Sequence, residues 1–428
     1  MAKLKFQSLP GMYDILPEEQ KYFQKIYKVV ENTANSYNFQ KIETPILEPA
    51  ELFSKGVGLT TDIVRKEMYS FKTKGGDFVT LRPEGTASVV RTFIEKGMRS
   101  LPQPVKLWYF GPFFRHERQQ LGRYRQFHQF GFEVLGEYSP IIDAQIIKIC
   151  YSILKKLGLK NFSLEINSIG CKKCRSCFKK ELQVFLKRKK AGLCKNCQKR
   201  LKENPLRILD CKEEKCQRII SKAPQTVDYL CEECHNHFKE VLEFLDELGL
   251  PYKLNTHLVR GLDYYTKTVF EIINSNEKIK KIGTLIGGGR YDNLVKLLGR
   301  KDIPACGASG GIERIIDLMK FENIKIPKTS EKKVFLVQLG NLAKKRSLKL
   351  FEELRESKIK TIENFSKNSL NAQLKIADRL KIRHVLIFGQ KEALENNILI
   401  RDMEKGTQKQ IKLKNIVREI KKHFKKDK

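Results

Sequence analysis

No stretch of this chain comes near the ~18 consecutive apolar residues that a membrane-spanning helix needs. The opening "MAKLKFQSLPGMYDILPEE" also lacks the apolar centre of a secretory signal. The cytosol is therefore the expected compartment. No internal repeat occurs, and no low-complexity tract beyond a lysine-rich tail. Acidic residues are scarce: 49 Asp and Glu stand against 83 Lys and Arg, for a net charge of +34. In a reducing compartment disulfides are not expected, so the eleven cysteines read as thiols or metal ligands.

What is present fits a globular protein: 41% hydrophobic and 31% charged residues over a length of 428, too long for one ordinary core. Two or three domains are expected. The charge is unevenly placed. Residues 171–222 carry 18 Lys and Arg against 5 Asp and Glu, and residues 331–428 carry 26 against 12, which leaves only +7 for the remaining 278. Such segments are either solvated surface or two arms gripping a polyanion, the latter with an affinity that falls with salt.

The pattern along the chain predicts an α+β protein. "PEEQKYFQKIYKVVENTANSYNF" sets Phe23, Ile26, Tyr27 and Val30 at helical spacing, and "KIETPILEP" reads as extended chain broken by Pro45 and Pro49. "VKLWYFGPFFRHE" and "RQFHQFGFEVLG" read as strands of an antiparallel sheet joined by a charged loop over 118–125. Residues 1–170 and 236–325 are read as two parts of one domain, with 171–235 a small cysteine-rich, basic insert between them. In "GGIERIIDLMKF", Ile312, Ile315, Ile316 and Met319 form an apolar stripe. After a linker at "KIPKTSEKK", alternating strands ("VFLVQL", "IKTIENF", "HVLIFG", "ILIRDM") and helices ("LNAQLKIADRL", "NIVREIKKHF") make 326–428 a compact α/β domain.

Several segments carry chemistry. Residues two apart in a strand share a face, so Gln129, Gly131 and Glu133 point one way, glycine leaving an open floor between amide and carboxylate. Phe130, Phe132 and Val134 point into the core. Arg115 and Glu117 share a face, and Arg118, Arg123 and Arg125 lie in or beside the loop, where guanidinium forks suit phosphates. "LRPEGTASVVRTFIE" places Glu84, Gly85 and Thr86 at a turn entering a helix; helix capping is the plainer reading of that turn. "GTLIGGGRYDNLV" permits close backbone approach at Gly287, Gly288 and Gly289. Arg314 stands just inside a helix start, a place that attracts phosphate, or else pairs with Glu313 or Asp317. "LVRGLDYYTKTVFEI" sets Arg260, Asp263, Tyr264 and Tyr265 in an otherwise apolar segment, where Arg260 and Asp263 could pair with each other.

The order of these blocks resembles the class II aminoacyl-tRNA synthetases, and among them closely the histidyl-tRNA synthetases, over nearly the whole chain. "ETPILEP" is similar to the family's first motif, whose proline lies at a dimer interface. "FRHERQQLGRYRQFHQFGFE" is similar to the second and "GASGGIERI" to the third. "LRPEGT" and "LVRGLDYYTKTVFEI" are similar to blocks peculiar to the histidine enzyme. The resemblance implies a class II antiparallel catalytic sheet, the insert lying against the acceptor arm of a tRNA, and an anticodon-reading C-terminal domain. It implies a homodimer that joins L-histidine, through ATP with Mg2+ bridging the phosphates, to the 3′ end of the histidine tRNA.

In that scheme Arg260 is the catalytic arginine at the α-phosphate, and Arg115 and Arg314 meet the α- and γ-phosphates, beside Glu117 and Arg123 in the ATP site. Glu84, Gly85 and Thr86, helped by Gln129, receive the α-amino group. Glu133 and Tyr265 hold the two imidazole nitrogens, with Tyr264 alongside. Such hydrogen-bonded discrimination needs no editing domain. Two departures stand out: Gln119 replaces the family's usual proline, and "CGASGG" lacks an aromatic residue ahead of the third motif's helix.

Nine cysteines fall between 171 and 234, in C-x2-C-x2-C, C-x2-C, C-x4-C and C-x2-C spacings. They suit structural zinc on Cys171, Cys174, Cys194, Cys197, Cys211, Cys216, Cys231 and Cys234, as two four-thiolate sites with Cys177 left over, or as one site with spares. Reduced, partly buried thiols are the alternative, and the family resemblance supports no metal here. A rival for the whole chain is the non-enzymatic, histidine-binding regulatory paralogue of ATP phosphoribosyltransferase. It lacks the C-terminal domain and usually the catalytic set, whereas Arg260, Arg115 and Arg314 are all present here. A zinc-dependent nucleic-acid-binding protein would explain the cysteines and charge but not the pocket residues.

Overall fold

The computed structural model describes residues 6–299, 301–326 and 332–426, with the side chain of Lys426 left aside. The chain divides into two compact units, the first ending at Ile326 and the second following it. Most of the expected linker at 325–333 lies outside the described residues.

The first unit is built on an eight-stranded sheet. Its order is Gln40–Lys41, Val105–Phe114, Gln126–Leu135, Ala305–Gly311, Thr284–Arg290, Thr266–Asn274, Phe162–Ser168 and Tyr252–Leu254. The central six strands pair antiparallel, and only the two short edge strands are parallel to their neighbours. The two expected strands thus form one long hairpin. The alternation along Gln126–Leu135 decides what each face does. Phe130, Phe132 and Val134 enter a core with helices Pro17–Ser36, Ile141–Lys156, Glu232–Glu247 and Ile312–Phe321. The expected helical positions Phe23, Ile26 and Val30 are buried in it, Tyr27 partly, and so is the stripe of Ile312, Ile315, Ile316 and Met319.

The opposite face meets helices Ala50–Val57, Thr86–Glu95 and Leu294–Gly299 in a second core that includes Tyr109, Tyr264, Tyr265 and Tyr291. Phenols in a hydrophobic cluster present one polar tip to whatever the cluster surrounds. This face holds the site.

Between Ser168 and Tyr252 the chain runs through helices Lys172–Arg188, Lys195–Glu203, Glu214–Ile220 and Glu232–Glu247, the first three around a small core of Phe178, Leu182, Leu186, Leu201 and Ile208. The second unit has a five-stranded mixed sheet in the order Lys360–Glu363, Lys333–Gln338, His384–Phe388, Asn397–Asp402 and Gln408–Lys412. Its apolar faces fill two separate clusters. Among the described residues no helix is long and apolar enough to cross a membrane.

Candidate active site

Strand register lines up one row across the sheet on the site face: Tyr109, Gly131, Ser309, Gly287 and Glu271. The small residues at its centre are required by close approach. A Cβ on Gly287 would lie 2.4–2.6 Å from the Arg260 guanidinium, and one on Gly131 would lie 2.2 Å from the Tyr109 ring. The floor expected to stay open at Gly131 is therefore covered by Tyr109, which also seals Gly85 from above. In the next row Glu133 lies over Gly307.

The side chains above this floor form a closed circuit of contacts. Thr86 Oγ1 donates to Glu133 at 2.7 Å, and the Tyr291 hydroxyl donates to the other Glu133 oxygen. Tyr291 packs edge-on to Tyr264 (5.6 Å between ring centres), and Tyr264 packs against Tyr265 (4.7 Å). The guanidinium of Arg260 stands 5.8 Å above the Tyr265 ring and is ion-paired to Glu271. Glu271 accepts from Thr284 Oγ1 (2.7 Å), and the Thr284 carbonyl accepts from Arg314 Nη1 (2.7 Å). Arg314 Nε donates to the Gly122 carbonyl (2.9 Å), next to Arg123, whose Nη1 meets Glu117 at 3.0 Å. Glu117 lies 3.8 Å from Arg115, and Arg115 Nε donates to the Pro83 carbonyl (2.8 Å), next to Glu84. Two oxygens of Glu84 accept from the Thr86 and Ala87 amides (2.8 Å each), which returns the path to Thr86.

The circuit revises three readings. Arg260 pairs with Glu271, while Asp263 accepts from Thr60 Oγ1 at 2.8 Å, so the two residues of "RGLD" do not pair with each other. Arg314 reaches backbone carbonyls and pairs with neither Glu313 nor Asp317; Glu313 is taken up by His128 and Tyr13. Capping of the Thr86–Glu95 helix is done by the Glu84 carboxylate rather than by threonine, a favourable place for an anion at a helix start.

Burial sets the electrostatics. Glu133 is fully buried and its carboxyl is pushed up to about 8, mainly by desolvation that its hydrogen bonds only partly offset. Burial also raises Glu84 and Tyr265. Arg314 is pulled down to about 10, by burial first and by the facing Arg123 second. For Arg260 burial is the largest single influence and works against the charge, but Glu271 together with Tyr265 and Tyr264 outweighs it and holds the group above the usual arginine range. Around this floor, three buried polar atoms have no partner among the described residues: Tyr109 Oη, Gln129 Oε1 and Arg260 Nε. Tyr109 and Gln129 sit on the site face of neighbouring strands, where a polar ligand would satisfy them. Glu84, Gly85, Thr86, Arg115, Glu117, Arg123, Gln129, Glu133, Arg260, Tyr264, Tyr265 and Arg314 thus lie around one floor.

Four contributors were not singled out from the sequence: Tyr109, Glu271, Thr284 and Tyr291. Glu271 closes "TVFEI", but strand pairing, not local pattern, brings it to the row; Tyr291, just past the strand that holds the glycine run, joins through its hydroxyl on Glu133. The insert also reaches the site. Arg207 Nη1 donates to the Arg260 carbonyl (3.3 Å), Arg175 Nη1 to the Asp263 carbonyl (3.3 Å), and Asn204 Nδ2 to Thr60 Oγ1 (3.1 Å) and Asp263 (3.4 Å).

Fold and site together are those of a class II aminoacyl-tRNA synthetase: an antiparallel sheet whose open face carries fixed guanidinium groups, a buried carboxylate and phenols. Comparison with known proteins narrows this. The family model described as "Histidyl-tRNA synthetase" matches residues 11–315, and that described as "Anticodon binding domain" matches 333–423. A histidine–tRNA ligase of Desulforamulus reducens is 44% identical over 411 residues, which is 96% of this chain and 98% of that protein. The crystal structure of apo histidyl-tRNA synthetase from S. aureus is similar with a TM-score of 0.80 and 35% identity, covering 97% of this chain and all of that one. A structure from Bacillus halodurans described as an ATP phosphoribosyltransferase regulatory subunit/histidyl-tRNA synthetase shares the fold, with a TM-score of 0.64 at 19% identity over 90% of this chain. The chain belongs to the histidyl-tRNA synthetase family.

Proposed function

We propose that this protein is a histidine–tRNA ligase: it activates L-histidine with ATP and transfers it to the 3′ end of the histidine tRNA. The observation that carries this is the closed circuit, which sets Arg115, Arg260 and Arg314 around a floor shared with Glu133, Thr86 and Tyr265. Three guanidinium groups suit a triphosphate, and a buried carboxylate with a phenol suits a ring bearing a polar atom at each end.

In the first step the histidine carboxylate attacks the α-phosphorus of ATP. One P–O bond forms, the α–β bridging P–O bond breaks, and pyrophosphate leaves. No side chain serves as nucleophile. Arg260 and Arg115 neutralise the charge gathering on the α-phosphate, and Arg314 holds the γ-phosphate, beside Glu117 and Arg123. Arg260 is held in place before substrate arrives by Glu271 and the Tyr265 ring. Arg314, with no carboxylate partner among the described residues, keeps its charge for the ligand. Glu133, fixed by Thr86 and Tyr291, is the imidazole's acceptor, and a ring N–H donating to it favours the ionised form that burial opposes in the free protein. Gln129 and the 84–86 turn take the α-amino group. In the second step a terminal ribose hydroxyl of the tRNA attacks the adenylate carbonyl, forming the ester and releasing AMP.

The basic insert lies against the acceptor arm and the basic second unit reads the anticodon, in a cytoplasmic homodimer. The regulatory-paralogue reading has less support, because the arginine set and the 333–423 domain are both present. Histidine-dependent exchange of pyrophosphate into ATP, followed by charging of tRNA, tests the proposal. Exchange with histidine alone among the amino acids is expected, and absence of both reactions would overturn it.

A further inference from the structure

The insert's cysteines are not used by the reaction, yet folding sorts eight of them into two groups of four. Cys171, Cys174, Cys231 and Cys234 form one, and Cys194, Cys197, Cys211 and Cys216 the other; within each group every sulfur lies within 4.8 Å of the others. Cys177 is left exposed and outside both. The pairs are not disulfides. Cys171 and Cys174 sulfurs are 3.6 Å apart, and those of Cys194 and Cys211 are 3.9 Å apart, against the ~2.05 Å of an S–S bond. A tetrahedron with ~2.3 Å metal–sulfur bonds has edges of roughly 3.8 Å. The observed spacings are those of thiolates around one ion.

Backbone amides complete the picture. Cys231 N–H donates to Cys174 Sγ (3.1 Å), Cys194 N–H to Cys216 Sγ (3.2 Å) and Cys197 N–H to Cys194 Sγ (3.4 Å). Donors aimed at sulfur stabilise thiolate over thiol and orient the ligands. Three of the four C-x2-C or C-x4-C halves start at or just before a helix: Cys171 precedes Lys172–Arg188, Cys194 precedes Lys195–Glu203, and Cys231 precedes Glu232–Glu247. Cys174, Cys234, Cys197, Cys211 and Cys216 are all buried in a lysine-rich segment.

We infer that each group binds one Zn2+ through four thiolates, so that the chain carries two structural zinc ions. Both sites are closed by four protein ligands, which leaves no open position for chemistry and makes them structural. The first site joins the insert's entry at Cys171 to its exit at Cys231 and so fixes its root. The second comes later along the insert and brackets the segment that bears Asn204 and Arg207, the residues that reach Asp263 and the Arg260 carbonyl.

The test uses the full-length protein purified without chelator or added metal. Elemental analysis is expected to give about two zinc per chain, and titration with an organomercurial under an indicator dye is expected to release both as eight thiols react. Replacing Cys177→Ser should change neither number, whereas Cys197→Ser should leave about one zinc, as should Cys234→Ser. If a serine variant fails to fold, the wild-type count still decides: about one zinc per chain or fewer, iron in its place, or rapid alkylation of all eight thiols in the native protein without metal release would each overturn the inference. Cobalt exchange adds a spectroscopic check, with sulfur-to-metal charge-transfer bands expected for tetrahedral thiolate sites and their absence counting against it.

Discussion

Thr86 at the start of one helix and Glu133 in the middle of a strand share a 2.7 Å hydrogen bond in the buried interior, where Tyr291 holds the second carboxylate oxygen. A carboxyl group held this way is organised before any ligand arrives, but its charge is opposed by burial.

That opposition predicts a pH signature. The Glu133 carboxyl is raised from 4.5 to about 8, so the folded state keeps a proton that the unfolded chain releases. Its stabilising contribution is full below the unfolded value and is lost as pH rises through about 8. Glu133→Gln, isosteric and uncharged, should therefore flatten the fall in Tm between pH 5 and 9 while abolishing histidine-dependent exchange. An unchanged Tm profile would show that burial does not govern this group.

Arg260→Gln should lower the rate of histidine-dependent pyrophosphate exchange by about 10²–10³, the usual worth of one preorganised charge at a reacting centre. Because it also leaves the part-buried Glu271 carboxylate without its ion-pair partner, the comparison needs the double variant Arg260→Gln/Glu271→Gln. The double variant should regain stability but not activity. Full exchange activity in either variant would remove Arg260 from the chemistry.

Tyr109 is wedged against Gly85 and Gly131 with its buried hydroxyl unpartnered. Tyr109→Phe should raise the Tm of the free protein, since it removes an unsatisfied polar atom worth about 1–3 kcal/mol. It should also raise KM for histidine or ATP by about tenfold, the value of one hydrogen bond of ~1.4 kcal/mol. A variant that is more stable and kinetically unchanged would place that hydroxyl outside the ligand site.

Truncation after Ile326 removes the second unit, whose strands fill cores of their own. The shortened chain should still exchange pyrophosphate but lose most tRNA affinity, and binding by the full chain should fall steeply as salt is added. Equal tRNA affinity with and without the unit would refute its anticodon role.

The sequence made the hairpin, the face alternation of Phe130 and Glu133, the stripe of Ile312 and Met319 and most strands of the second unit legible, because each follows a local period of two or about 3.6 residues. It did not reveal the helix Asn341–Glu356 or the edge strand Gln408–Lys412, whose lysine-rich faces blur that period. The site shows the same division. Glu84, Glu133, Arg260 and Tyr265 stood out by composition and resemblance, whereas Tyr109 and Glu271 join through register across the sheet. Arg207 and Asn204 join through packing of the insert. The cysteine spacing left the partition of nine thiols open. Only the fold, by bringing 171–174 to 231–234, separates them into fours and leaves Cys177 aside.

Asp263 and Asp62 lie on two different strips of chain, yet both are held by the same short part of the insert: Asn204 on Asp263, and Arg200 (3.0 Å) and Arg207 (3.5 Å) on Asp62. The insert is in this way bolted to the segment that bears Arg260 and Asp263. If pressing the insert down tightens the backbone behind the arginine, thermodynamic reciprocity requires that filling the floor with substrate strengthen the insert's own grip in turn.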